Sequence, residues 1–135
     1  MAEAAEDVVR RWVRNLNDRV PWEEGLSIVD PEFEMTESDA LPGAAHVSGV
    51  EELRTYKLGW ERNWSDWSWD EEELAEVAPG RVLLIATLRL RGKRSQAEVQ
   101  RRWAYLFTIR DGKVRRQDGY ATREEALASL EKTEA

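Results

Sequence analysis

Cysteine is absent and histidine occurs once in 135 residues. A disulfide framework, a thiolate nucleophile and a Cys/His zinc cluster are therefore all excluded. Basic residues are outnumbered, 20 Lys and Arg against 27 Asp and Glu, for a formal net charge of −7. A surface that grips nucleic acid needs the opposite balance. Long apolar runs are missing too. The longest, Val82 to Ala86, is far shorter than the roughly 20 residues of a membrane-spanning helix. The acidic start MAEAAED lacks the basic and apolar pattern of a secretory leader. No glycine-rich phosphate loop follows a strand, and no serine sits in a nucleophile elbow. These absences lead to the expectation of one domain over residues 1–135, cytoplasmic, with no nucleic-acid or membrane partner, no metal and no cofactor.

What the chain has in quantity is tryptophan, seven residues. Tryptophan combines a large apolar body with one polar N–H, so it suits a core, an interface or an aromatic pocket wall.

The chain is organised around Arg81 to Tyr120. Val82, Leu84, Ala86, Leu88 and Leu90 form one apolar face, opposite Leu83, Ile85 and Thr87. Ala97, Val99, Arg101, Trp103, Tyr105, Phe107 and Ile109 share a face of the next run. Asp111-Gly112 is a hairpin signal. In the last run Val114, Arg116, Asp118 and Tyr120 alternate with Arg115, Gln117 and Gly119. Three long antiparallel strands are expected. A hydrophobic outer sheet face would then need cover.

Ahead of them, Val8, Val9, Trp12, Val13 and Leu16 recur at helical spacing, which predicts a helix from Ala2 to about Asn17. Pro21 opens a second helix, PWEEGLSIV, which Asp30-Pro31 ends. Glu32 to Glu37 alternates as a short strand with Phe33, Met35 and Glu37 on one face. Glu37 thus points the same way as two apolar residues. The plainer reading is a frayed strand end with a solvated carboxylate. Ser38 to Val47 reads as a loop holding His46, the one side chain that naturally titrates near neutrality. Ser48-x-x-Glu51 and Thr122-x-x-Glu125 read as capping boxes for two further helices. The first buries Val50, Leu53, Tyr56 or Lys57, Trp60 and Trp64. Trp67 and Trp69 alternate on an edge strand, with acidic Asp70 to Glu73 after them. Helices segregated from antiparallel strands predict an α+β fold.

The segments VVRRWVRNLNDRVPWEEGLSIVDPEFEM, HVSGVEELRTY, WAYLFTIRDGKVRR and YATREEALASL, in that order, resemble the nuclear transport factor 2-like superfamily. Within it they resemble the SnoaL-like and ketosteroid-isomerase-like proteins, over nearly the whole chain. The resemblance implies a cone-shaped, strongly curved, mostly antiparallel sheet wrapped around N-terminal helices, a cystatin-like α+β barrel. It also implies an apolar pocket at the cone's mouth and a homodimer through the outer sheet face. Isomerase-like relatives carry a catalytic carboxylate at the end of the first strand, which falls on Glu37, or on Asp39 with a different gap. Their pocket tyrosine falls on Trp12 and their protonated aspartic acid near Tyr105. Both positions depart from the isomerase pattern, so steroid isomerisation itself is not implied.

The expected site therefore has Glu37 as general base, Tyr105 as donor to a developing oxyanion, and His46 near the mouth as an alternative acid or base. Asp118 and Arg101 are expected to pair inside the cone, as in the carboxylate–arginine–carboxylate set of limonene-epoxide-hydrolase-like relatives, or simply at a strand edge. Trp12, Phe33, Met35, Tyr56, Trp60, Trp103 and Phe107 are expected to line the pocket with Arg101. Three functions compete. The first is a cofactor-free isomerase, cyclase, dehydratase or hydrolase of a small apolar substrate. The others are a non-catalytic carrier of a hydrophobic molecule and a dimeric interaction module.

Overall fold

The computed structural model describes residues 4–37 and 45–134, with side chains through Glu131. In chain order the elements are helix α1 (Ala5–Asn17), a single turn α2 (Trp22–Gly25) running into a 3-10 turn (Leu26–Ile28), and strand β1 (Val29–Thr36). Strand β2 (His46–Ser48), helix α3 (Val50–Asn63) and strands β3 (Trp64–Ala78), β4 (Arg81–Gly92), β5 (Glu98–Arg110) and β6 (Lys113–Tyr120) follow, then helix α4 (Arg123–Glu134). The strands form one sheet in the order β2-β1-β6-β5-β4-β3, antiparallel except for the β1–β6 pair. This is the α+β fold that the order of elements predicted, in the cone shape that the family resemblance implied.

Alternation along β4 and β5 divides the core in two. Val82, Leu84, Ala86, Leu88, Trp103, Tyr105 and Phe107 face the concave side, where they join Val8, Val9, Trp12 and Val13 of α1. Leu83, Ile85 and Ala104 face the convex side and pack under Ala126 of α4. The outer apolar strip thus receives cover from the chain's own C-terminal helix. Thr122 caps that helix, its Oγ1 accepting the Glu125 N–H at 3.1 Å, as the capping box requires.

The β5–β6 hairpin turns on Asp111 and Gly112, both at positive φ (53° and 74°), the backbone twist a two-residue hairpin loop needs. The edge strand β3 is longer than expected, because Asp70 to Glu73 continue it rather than follow it. Its pairing with β4 slips at three places, between Trp64 and Asp66, Glu71 and Glu73, and Glu76 and Ala78. Each extra residue bends a strand and increases its twist, and together they curl this edge around α1.

Two local expectations are corrected. Asp30-Pro31 lies within β1 instead of ending a helix. Proline's fixed φ and the extended preference of the residue before it fit a strand equally well. Asp30 is also drawn inward, accepting the Glu32 N–H at 2.8 Å and bonds from Arg110 Nε and Nη2 at 3.2 and 3.0 Å. At α3 the cap position is Gly49 (φ +86°), and the Ser48 N–H donates to Glu52, not to Glu51, at 3.1 Å. The loop containing Asp39 and Pro42-Gly43 lies outside the described residues, and His46 begins β2.

Candidate active site at the mouth of the cone

A cavity of about 840 Å³ opens between the concave sheet face, α1 and α3. All seven tryptophans border it: Trp12, Trp22, Trp60, Trp64, Trp67, Trp69 and Trp103. Their positions follow from local rules. Trp67 and Trp69 alternate inward on β3, while Trp60 lies in the last turn of α3 and Trp64 opens β3 directly after it.

Polar contacts lock several rings in place. The Trp12 indole donates to Gln117 Oε1 at 3.0 Å in a buried bond. The Trp67 indole donates to the Leu16 carbonyl at 3.0 Å. Asn17 clamps β3 to α1, accepting the Trp69 N–H at 2.8 Å and donating to its carbonyl at 2.9 Å. The Trp69 and Tyr105 rings stack at 4.9 Å.

Glu37 stands one residue beyond β1, half-buried, on the cavity wall. Its backbone N–H donates to the Ala45 carbonyl at 3.0 Å, and its Oε1 accepts the Ala45 N–H at 3.0 Å. Burial raises its pKa above the ordinary carboxylate value, against the lowering pull of the Ala45 N–H and the Tyr56 hydroxyl. Tyr56 reaches toward it from α3. Burial, and then the adjacent Glu37 charge, push the Tyr56 pKa upward. Tyr105, across the cavity on β5, is pushed upward by burial and by the same two neighbours. The Glu37 carboxylate and two phenols thus share a pocket whose remaining wall is mostly apolar. Both phenols are held as neutral O–H donors.

The structure brings together Glu37, Tyr105, Trp12, Met35, Tyr56, Trp60, Arg101 and Trp103 around the cavity. It does not bring His46, which is exposed on β2 while its neighbour Val47 takes the inward position. Phe33 and Phe107, expected on the wall, are wholly buried below it in the closed end of the cone. Asp118 and Arg101 do not pair. Arg101 lies opposite Leu88 on the concave side, whereas Asp118 lies opposite Leu106 and turns outward. There Asp118 accepts the Thr36 hydroxyl at 2.6 Å and a bond from Arg116 Nη2 at 3.0 Å.

The cause is a bulge. Ile109 faces Val114 but Thr108 faces Arg116, so Arg115 is an extra residue in β6. One extra residue reverses the faces of everything after it. Gln117 therefore enters the cavity in place of Asp118. Nothing in the sequence marks this bulge, and Gln117 is the site residue that alternation alone misses. Among the described residues no His, Asp and Glu side chains converge as a metal-ligating group, and no helix is long and apolar enough to cross a membrane.

Comparison with known proteins agrees on the architecture. A nuclear transport factor 2-like protein of unknown function from Burkholderia pseudomallei superposes with a TM-score of 0.76 at 12% identity, covering 93% of this chain and 97% of the other. TerC, crystallised with polyporic acid, superposes at 0.75 with 16% identity, covering 98% and 100%. A putative SnoaL-like polyketide cyclase from Shewanella denitrificans gives 0.73 at 9% identity, covering 95% and 97%. At these identities the likeness is one of fold. No curated protein matches the sequence significantly. The SnoaL-like domain family matches residues 9–117, most of the chain, and the protein belongs to that family.

Proposed function

We propose that the cavity binds a small, largely apolar carbonyl compound and that Glu37 acts on it as a general base. The reading rests on one observation: a desolvated carboxylate beside two phenols that burial keeps protonated. Glu37 in its ionised form takes a proton from a carbon next to the carbonyl, and the electron pair moves onto the carbonyl oxygen. The Tyr105 hydroxyl donates a hydrogen bond to the enolate oxygen as its charge develops, while the Tyr56 hydroxyl donates to Glu37 and orients the base. Return of the proton from Glu37 to a different carbon gives isomerisation. Attack of the enolate on a second carbonyl of the same molecule gives cyclisation, and the new alkoxide then takes the proton. The putative cyclase among the structural neighbours is consistent with the second course. Trp12 Nε1–H is committed to Gln117 and takes no part in this donor set.

Exchange of deuterium from solvent into a panel of cyclic and aryl ketones tests the reading. Glu37→Gln is expected to reduce protein-dependent exchange by about 10²–10⁴-fold, and Tyr56→Phe by less. Exchange that is unchanged in Glu37→Gln would remove Glu37 as the base.

A carrier without turnover is the second reading. It is favoured by the paired Glu37–Ala45 contacts, which make the carboxylate a latch between β1 and the chain entering β2. Ligand binding with no exchange in the wild type would select it. The homodimer implied by the family resemblance is a separate proposal, checked by light scattering.

A further inference from the structure

Tyr105 lies four positions after Arg101 on β5, and both face the concave side. At about 3.3 Å of rise per strand residue, their Cα atoms are roughly 13 Å apart. Trp103 lies between them on the same face. At the mouth, beyond Arg101, Val99 remains 41% exposed although apolar.

The charges around this passage are unequal. Two arginines border the cavity, Arg19 and Arg101. Arg19 is neutralised by Asp66 and lies 4.4 Å from the Trp67 ring. Lys57 donates to the Val20 carbonyl at 3.4 Å and lies over Trp22. The acids on the wall are Glu37, at the Tyr105 level, and Glu61. Arg101 has no carboxylate within salt-bridge distance among the described residues; its guanidinium stands 5.8 Å from the Trp103 ring. In a chain of net charge −7, this leaves a cation at the entrance of an aromatic channel.

Building on the cavity reading above, we propose that the ligand is an elongated amphipathic anion. Its carbonyl end reaches Tyr105, its aromatic body lies along Trp103, and its carboxylate or similar acidic group stops at Arg101. The guanidinium can meet a carboxylate in a charge-assisted, two-point contact. The spacing along β5 sets the ligand's length.

Quenching of tryptophan fluorescence in the full-length protein tests this with a biphenyl carboxylate bearing a para-acetyl group and with its methyl ester. The carboxylate is expected to bind about ten-fold more tightly than the ester. Arg101→Gln should abolish that preference, weakening the carboxylate about ten-fold more than the ester. Arg101→Lys should keep part of it. Added salt should weaken the carboxylate alone. Equal binding of acid and ester in the wild type, or a preference that survives in Arg101→Gln, overturns the assignment while the cavity reading stands. If neither probe quenches, the cavity reading falls and this inference with it.

Discussion

At one end of the concave sheet face, Phe33, Val82, Leu84 and Phe107 are wholly excluded from solvent; at the other, Trp60, Trp64 and Trp67 are half-exposed around an open cavity. The same helix spans both ends. Its N-terminal half supplies Val8 and Val9, which are fully buried, and its C-terminal half supplies Trp12 and Leu16 at the cavity. Side chains at the closed end, aliphatic and phenyl alike, are packed out of reach of solvent, whereas the large flat rings at the mouth, pinned by Gln117 and the Leu16 carbonyl, stand as walls. The fully buried core lies at the closed end and the cavity at the open one.

The largest effect should come from breaking the closed end. Phe33→Ala removes a fully buried ring and is expected to cost about 3–5 kcal/mol, a large share of the roughly 5–15 kcal/mol that holds a domain together. Trp60→Ala removes a larger side chain from the mouth, yet should cost about 1 kcal/mol or less while weakening aromatic ligands. Urea unfolding of both variants checks the contrast. Equal losses would mean that the mouth is core.

A smaller effect should come from the boundary between the ends. Gln117→Ala leaves the buried Trp12 N–H without its acceptor, at about 1–3 kcal/mol. Combining it with Trp12→Phe, which removes the orphaned donor, should cost less than the sum of the single changes. Strict additivity in urea unfolding would show that the bond contributes nothing.

How far these ends could be foreseen depended on the range of the interactions. The closed end was legible because its signals are local. Strict alternation from Val82 to Leu90 marked the inward face of β4, and Asp111-Gly112 marked the hairpin that sets the β5–β6 register. Trp67 and Trp69 also announced themselves by alternation, although they read as an edge strand and not as a cavity wall. The open end depends on contacts between distant elements. Tyr56 meets Glu37 only because α3 folds back across the end of β1. The bulge at Arg115, which exchanges Asp118 for Gln117, arises from register and not from residue type. His46 was singled out for its chemistry, but a two-residue period decided its orientation: Val47 took the core side.

Glu37 offers a sharper test because it titrates. Its folded pKa is raised by burial, so the folded state holds the proton more tightly than the unfolded chain does. The stability associated with the protonated group is fully present below the unfolded value of about 4.3 and is lost as pH rises through the folded value. Wild type should therefore lose stability relative to Glu37→Gln as pH increases across that window. A difference between the two that does not change with pH would mean that Glu37 is solvated when folded.

The smallest effect is expected on the convex side, where neither end of the cone is involved. Arg102 and Glu72 pair at 2.9 Å between β5 and β3, but their side chains are 66% and 41% exposed. Water and salt screen such a pair, and two long side chains lose freedom in making it, so Arg102→Gln should cost between about 0 and 1 kcal/mol. Neighbouring exposed pairs, Arg89–Asp70 and Arg123–Glu73, should behave alike. Their measurable role is at the edge: charges along β3 oppose the approach of another strand. Replacing Asp70, Glu72 and Glu73 together by threonine should therefore change self-association more than unfolding free energy. Sedimentation and urea unfolding of the same variant separate the two. A loss of several kcal/mol without association would mean that these pairs hold the curl of β3.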